Sequence, residues 1–480
     1  MNVFSTLSDS ARRWPKRPAV IDGAGTLDYQ SLWREVEALR AQLDGLGLRE
    51  GQGVGVLAAN GRAFIISMLA VLGCGGVMMP LYHQLKRGEI EQMLACAPLA
   101  GIVAESSDLL PDGAASRELR LLNGTRLCFS RIAGAAPGAM VPWVQDAAFL
   151  RFTSGTTGAA KGVVVTHEGA LERIRAANAG LALGCEDRVL WILPMAYHFI
   201  VSVVLYLEVG AAIVVCPDHL AETVLETAAR HEATFLYAAP MHVRALAADA
   251  SRRRLPATCR RVLSVSSRLH PQVARDFLAR YGVPVAQGYG IIEVGLPVLN
   301  LEQAAERPEA IGRPLPGFAA AILDEALKPV GDGQTGQLAV RGPGMFAGYL
   351  SPPLAREAVL SDGWFLTGDL AHRDRDGLFT IDGRSKSVIN VAGHKVFPED
   401  VAAVLDQHPA VWRSRVTTRP HPRLGEIVHA DVQLREGRLP VGTEDLLAFC
   451  RRRLSGYKVP ASIALVEEIE LTPSGKVRHG

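Results

Sequence analysis

Within "LWREVEALRAQL" (32–43), Leu32, Val36, Leu39 and Leu43 recur at helical spacing, and the apolar run "GVGVLA" follows as a short strand. Two longer apolar runs approach membrane length, "FIISMLAVLGCGGVMMPL" (64–81) and "FIVSVVLYLEVGAAIVVC" (199–216). Each is broken near its middle, the first by Gly73-Cys74-Gly75-Gly76 and the second by Glu208 and Gly210. The breaks predict a buried helix, a glycine turn and a buried strand in each, in place of a membrane span. Further on, "RVLWIL", "AAIVV", "TFLYAA" and "VPVAQ" alternate with helix-like segments. Such alternation predicts an α/β fold of mostly parallel sheets covered by helices on both faces.

From about residue 311 the pattern shortens into strands separated by turn signals. "GQLAVRG" is one strand, and "GWFLTGDLAHRDRDGLFTIDGR" predicts a hairpin turning at Asp374-Arg375-Asp376-Gly377. After Gly383 a small α+β unit begins, with "PEDVAAVLDQHP" as a helix apolar at Val401, Val404 and Leu405. The expected organisation is a large N-terminal domain over 1–383, with a β-barrel-like subdomain at about 305–383, followed by a small C-terminal domain over 384–480.

The chain has 480 residues, which suits about two or three domains. A formal net charge of +2 makes no electrostatic case for nucleic acid or an anionic membrane. The "RRR" runs at 252–254 and 451–453 read as solvated helix faces. Seven cysteines without a C-x-x-C pair fit reduced, mostly buried thiols, and argue against a disulfide framework or zinc. The N-terminal stretch shows no apolar signal region, so a cytoplasmic protein is expected.

The chemistry concentrates first in "FTSGTTGAAKG" (152–162). Ala160 precedes Lys161 and Gly162 follows it, so the spacing departs from the Walker P-loop. The ingredients of a phosphate cradle remain: small residues that expose backbone N–H groups, hydroxyl donors and one ammonium. Apolar runs on both sides, "AAFL" and "GVVV", predict a tight strand–loop–strand connection.

Four further signatures follow in order, "QGYGIIE" (287–293) after a strand, "GQLAVRGPGMFAGY" (336–349), "DGWFLTGDL" (362–370) and "GRSKSVINVAGHKVFPEDV" (383–401), with "LTPSGKVR" (471–478) near the end. The ordered set resembles the adenylate-forming superfamily of acyl- and aryl-CoA synthetases, free-standing adenylation enzymes and luciferases. The resemblance implies conversion of a carboxylic acid and ATP to an acyl-adenylate and pyrophosphate, then transfer to a thiol. Bringing two anions into line requires positioning and neutralised charge. The resemblance implies that Thr153, Ser154, Thr156, Thr157 and Lys161 hold the β- and γ-phosphates, with Gly155 and Gly158 allowing close approach. It further implies Mg²⁺ on Glu293 and adenine beside Gly288, Tyr289 and Gly290, with Tyr289 either stacked on the base or a core tyrosine. Asp369 is implied as the acceptor of the ribose hydroxyls and Arg384 as a ribose and phosphate contact. Lys476 is implied as the bridge between carboxylate and α-phosphate, and Glu293 and Thr153 complete the catalytic set. A hinge near Ser385-Lys386 would swing the C-terminal domain, presenting Lys476 for adenylation and the loop around Gly393 for the thiol.

Several positions depart from that pattern. Ile292 stands where a threonine hydroxyl is usual, Val265 replaces a glycine near the acyl pocket, Ser387 replaces an acid, and Ala160 a proline. By resemblance, "LPMAYHFIVSVVLYL" (193–207) lines the acid pocket, with Tyr197, His198, Ser202, Val265, Ser266 and Gly288 around it. The segment holds no Asp or Glu before Glu208, which disfavours an α-amino acid, because a buried ammonium needs a partner. The reading is an apolar pocket for an aromatic or short-to-medium acyl acid, in which His198 either bonds a substrate group or serves as a gating or core histidine. CoA is the leading acceptor; the phosphopantetheine of a carrier protein acting in trans shares its thiol arm. A nucleotide-binding relative that has lost catalysis is the alternative from a different class.

Overall fold

The computed structural model describes residues 2–108, 110, 116–132, 138–153, 161–391, 394–421, 425–435, 441–471 and 477. The chain forms two compact units. The first comprises Met1–Pro308, Pro314–Ala319 and Arg341–Phe365, and the second Glu309–Arg313, Ala320–Val340 and Leu366–Gly480.

The periodic segment folds as the helix Tyr29–Gly45, started by Asp28, whose side chain accepts from the Ser31 N–H at 2.7 Å. Leu32, Val36, Leu39 and Leu43 are all buried on its inner face. The two near-membrane-length runs resolve as their breaks predict. The first is the helix Arg62–Gly73, a turn, and the strand Val77–Tyr82; the second is the helix Val203–Glu208, Gly210, and the strand Ala212–Val215. The helix Arg62–Gly73 is buried all round from Arg62 to Leu72, so it carries no amphipathic period. The turn depends on Gly75, at φ +74, where a side chain would also press on Glu50. No helix among the described residues is long and apolar enough to cross a membrane.

The first unit holds two large sheets. In one, neighbouring strands run Gly295–Leu299, Val285–Ile291, Arg261–Ser264, Phe235–Ala238, Arg188–Trp191, Ala212–Val215, Pro18–Asp22 and Gly25–Asp28. Its interior pairings are parallel, and the end pairs, Val285–Ile291 with Gly295–Leu299 and Pro18–Asp22 with Gly25–Asp28, are antiparallel. The other sheet runs Gly348–Tyr349, Lys161–Thr166, Ala147–Thr153, Val77–Tyr82, Gly53–Ala58, Leu99–Ala104, Arg126–Arg131 and Ser116–Arg120. Its parallel centre, Val77–Tyr82, Gly53–Ala58 and Leu99–Ala104, carries near-continuous apolar runs because both faces are covered there.

The second unit contains the predicted hairpin, Phe365–Arg373 with Phe379–Arg384, closed by the Gly377 N–H donating to the Asp374 carbonyl. It belongs to a four-stranded sheet with Ala319–Leu323 and Gly336–Arg341. Beyond it, strands Val411–His421 and Gly425–Leu434 form a long antiparallel pair flanked by Ile389–Val391 and Ser462–Val466. The helices Pro398–Leu405 and Thr443–Arg451 supply Val401, Leu405, Leu446 and Cys450 to its core.

Three readings are corrected. "QGYGIIE" does not follow a strand: its first five residues complete the strand Val285–Ile291, which turns into a hairpin at Ile292-Glu293. The run 252–254 is coil, with Arg253 bonded to Glu222 and Glu226, so neighbouring acids and not a helix face account for it. The thiols are free, but three of the seven are buried, namely Cys216, Cys259 and Cys450.

Candidate active site

The "FTSGTTGAAKG" loop is carried by an antiparallel strand pair in the first unit, and its two ends, Thr153 and Lys161, are register partners. Ser154, Gly155, Thr156, Thr157 and Gly158 lie outside the described residues, as does the side chain of Thr153. Lys161 is positioned by an aromatic neighbour: its ammonium sits 4.8 Å from the centre of the Tyr349 ring. Tyr349 is placed there because Gly348–Tyr349 pairs with Val163 and Val164 of the lysine's own strand. Its hydroxyl donates to Glu293 Oε1 at 3.1 Å. A lysine, a tyrosine and a carboxylate from three distant segments thus form one line.

Burial holds the Glu293 carboxyl above the usual carboxylate range, against the opposing pull of the Tyr349 hydrogen bond, Arg151 and Arg173. The backbone around it is clamped. Arg173 is fully buried; its Nη1 donates to the Ile292 carbonyl and its Nε to the Gly344 carbonyl, both at 2.8 Å. The Phe346 N–H donates to the Glu293 carbonyl at 2.7 Å. Gly290 approaches the opposite strand so closely that a Cβ would lie 2.9 Å from the Gly295 carbonyl oxygen. Gly288 and Tyr289 precede it on the strand, half-buried.

The segment 193–207, expected to line the acid pocket, lies in the same unit. The short helix Met195–His198 carries Tyr197 and His198, and Ser202 precedes the helix Val203–Glu208. Ser266 adopts φ +81, a strained left-handed conformation for a non-glycine residue, and its Oγ lies 3.4 Å from His198 Nε2. Val265 is buried and donates its N–H to the Ala238 carbonyl. Tyr237 stacks on Trp191 at 5.3 Å and meets the His198 ring edge-on at 6.0 Å. Tyr82 lies 5.4 Å from Tyr197. Burial pushes the Tyr197 hydroxyl up to about 12, so it is a neutral donor at physiological pH. The hydroxyls of Ser202 and Ser264 and the Trp191 indole N–H are buried without hydrogen-bond partners among the described residues.

In the second unit, Asp369 and Arg384 face each other across the hairpin, with Arg384 Nε 3.0 Å from Asp369 Oδ1. Asp369 is buried in mid-strand, whereas Asp374 and Asp376 occupy the turn, so it is not a turn aspartate. Its N–H donates to Thr367 Oγ1, which in turn bonds the Leu338 carbonyl. The 3₁₀ turn Ser385–Ser387 follows at once, and Ser385 donates to the Gly368 carbonyl at 3.0 Å. Gly393 and Lys476 lie outside the described residues, as does the Lys386 side chain.

Residues 7–350 match the family described as AMP-binding enzyme, and residues 400–476 match the AMP-binding enzyme C-terminal domain. The chain belongs to the AMP-binding enzyme family. This AMP-binding enzyme is 32% identical to a sulfoacetate–CoA ligase of Cupriavidus necator, over 99% of its own length and 97% of the relative's. It is 30% identical to a feruloyl-CoA synthase of Amycolatopsis sp, over 98% and 96%. Among solved structures it resembles the amide bond synthetase McbA of Marinactinospora thermotolerans, with a TM-score of 0.83 and 26% identity over 99% and 98% of the two chains. With both family modules present and CoA ligases matched end to end, the chain is an AMP-forming acid–thiol ligase.

Four site features escape a reading by motif. Tyr349 closes a quoted signature, yet spacing cannot show that it bridges Lys161 and Glu293. Arg173 sits inside an ordinary amphipathic helix, and Tyr237 inside an apolar strand. The fourth, Arg151, leaves a visible signal: a single charge within the strand "AAFLRFT" of a sheet covered on both faces.

Proposed function

We propose that the enzyme activates an aromatic or short-to-medium acyl acid, held between Tyr197, His198, Ser266 and Tyr237, and passes the acyl group to CoA. The observation that carries this reading is the Lys161–Tyr349–Glu293 line, which begins at the residue that follows the glycine-rich run in the chain. It joins one carboxylate to the ammonium that, in sequence, ends a segment rich in N–H and hydroxyl donors. The Glu293 carboxylate fits a cation: it is desolvated, it resists ionisation for that reason, and a bound charge would offset the cost. Mg²⁺ held there would draw negative charge from the phosphate oxygens. Lys161 and the hydroxyls of Thr153, Ser154, Thr156 and Thr157 hold the β- and γ-phosphates, and Tyr349 keeps both charged groups in place. The buried Asp369 takes the ribose hydroxyls through its two acceptor oxygens, with Arg384 fixing its orientation.

Lys476 then steadies the charge that develops as the carboxylate oxygen attacks the α-phosphorus and pyrophosphate leaves. The turn at Ser385–Ser387 serves as the hinge between this state and one that admits the thiol past Gly393. A carrier protein's phosphopantetheine would enter by the same route as CoA. Acid-dependent ATP–pyrophosphate exchange with Mg²⁺ tests the reading. Exchange should be greater with benzoate-like or medium-chain acids than with any proteinogenic amino acid. Exchange confined to an amino acid would overturn it.

A further inference from the structure

Arg151 is the charged residue that the mechanism above leaves unused. On the strand Ala147–Thr153, Leu150 and Phe152 point into the core with Leu81 and Leu99, so Phe149 and Arg151 share the other face. That face meets the acid-pocket segment: Phe149 packs against Phe199 at 5.0 Å, and the Arg151 guanidinium lies 5.3 Å from the centre of the Tyr197 ring. The Arg151 Nε is buried and has no hydrogen-bond partner among the described residues. Glu293 pulls on it electrostatically but accepts its side-chain hydrogen bond from the Tyr349 hydroxyl. Burial pushes Arg151 down to about 10, which still leaves it charged at physiological pH. A half-buried arginine supported by one tyrosine face, whose buried Nε donor meets no acceptor among the described residues, is incomplete without an anion.

We propose that Arg151 binds a second acidic group on the substrate, so that the enzyme prefers acids carrying a carboxylate or sulfonate besides the carboxylate that reacts. The inference rests on the reading that 193–207 lines the acid pocket. The reacting carboxylate is the poorer occupant, for a chemical reason. It must attack the α-phosphorus and lose its charge in the anhydride, and a buried two-pronged ion pair would hold back its electrons. A second anion keeps its charge throughout, so its binding costs the reaction nothing. An apolar substrate would leave the buried Nε donor facing hydrocarbon.

The test compares dicarboxylates and sulfo-carboxylates with their half-methyl esters, or with monoacids of the same length. Binding is followed by calorimetry without ATP, and turnover by AMP release. The wild type should bind the doubly acidic ligands more tightly. Arg151→Met should lower the ratio of kcat/KM for diacid over half-ester by about 10²-fold, mostly through KM. Arg151→Lys should lower it by about 10-fold, because an ammonium lacks the planar fork. Should Arg151→Met fail to fold, the lysine variant carries the test, and an unchanged ratio there overturns the proposal. Wild-type preference for half-esters, or equal losses on both ligand classes in the variants, overturns it as well; the equal loss would assign Arg151 to the reacting carboxylate. If the wild type turns over no acid of either class, the ligase reading fails separately. Calorimetry then still decides, since diacid binding that Arg151→Met abolishes supports the proposal and binding that survives overturns it.

Discussion

The charges of the two units are arranged in opposite ways. In the second unit Asp369 and Arg384 neutralise each other across a hairpin, and the strand register fixes their 3.0 Å contact. At the candidate site of the first unit, Glu293 and Arg151 are not matched so directly, although pairs such as Arg62–Asp22 elsewhere in that unit are. Glu293 is held by a tyrosine hydroxyl, and Arg151 lies against a tyrosine ring with a donor unfilled. A closed pair gives a rigid acceptor of preset orientation, which suits neutral hydroxyl groups such as those of ribose. Open charges are expensive in the unliganded protein, and that cost is recovered only when ions of the right sign arrive. On the proposed function, the comparison separates a surface that would orient the nucleotide from one that would gather ions for reaction.

The change expected to have the largest effect removes a charge from the second unit. Lys476→Ala should slow adenylation about 10²–10³-fold, as loss of a preorganised charged donor does, yet spare thioester formation from supplied acyl-adenylate. The two half-reactions are measured separately, by trapping the adenylate and by following the thioester. A bulky residue at Gly393 should show the reverse. Equal slowing of both steps by Lys476→Ala would mean that the C-terminal domain does not alternate between two orientations.

Next comes the open carboxylate of the first unit. Glu293→Gln should reduce Mg²⁺-dependent exchange by about 10²-fold or more, while raising the melting temperature of the ligand-free protein at neutral pH. The sign follows from the upward shift of the Glu293 carboxyl on folding. An acid whose folded pKa lies above its unfolded value favours folding more as pH falls through the interval between them, because the folded state takes up the proton first. The wild type should therefore gain stability from Glu293 as pH drops through that interval, and the glutamine variant should lack this contribution. Identical pH profiles of melting would show that Glu293 is well solvated in the folded protein.

The closed pair predicts a smaller loss. Asp369→Asn keeps the size of the side chain but weakens the acceptor and its ion pair with Arg384. KM for ATP should rise by about 10- to 100-fold, the range for hydrogen bonds to a charged group, with kcat changing less. A fall confined to kcat would indicate that Asp369 acts on the reacting atoms and not on the nucleotide's position.

Much of this contrast is legible in the sequence, for physical reasons that differ by residue. Broken apolar runs announce a helix–turn–strand because glycine and a lone carboxylate cannot continue a buried helix cheaply, and 64–81 and 199–216 fold accordingly. The hairpin turning at Asp374–Gly377 follows from its turn residues. Motif order singles out Lys161, Glu293, Asp369 and Arg384 as candidates, and the exchange measurements above test their roles. Contacts between distant segments leave no periodicity, however. Nothing local to "ALERIRAANAG" shows that Arg173 clamps the carbonyls of Ile292 and Gly344. Nor does "QGYGIIE" show that its glycines belong to a strand, because Gly290 is required there by a backbone only 2.9 Å from where its Cβ would be. Charge counting places 252–254 on a helix, but the acids that bind Arg253 lie some thirty residues away.

The smallest effect belongs to Ile292, where the usual hydroxyl is missing. The Ile292 carbonyl is held at 2.8 Å by the buried Arg173, so a change of side chain should leave the backbone in place. The side chain itself is only half-buried, and replacement by threonine opens no sealed cavity. Ile292→Thr supplies one neutral donor toward the phosphates, worth about 0.5–1.5 kcal/mol net. KM for ATP should accordingly fall by roughly two- to tenfold, with kcat near the wild-type value, as measured by exchange at varied ATP. Because the gain depends on Arg173 holding the loop, it should vanish in an Arg173→Met background that still folds. Complete loss of activity on Ile292→Thr would show that Ile292 packs where a hydroxyl is not tolerated, and that the loop does not present residue 292 to the nucleotide.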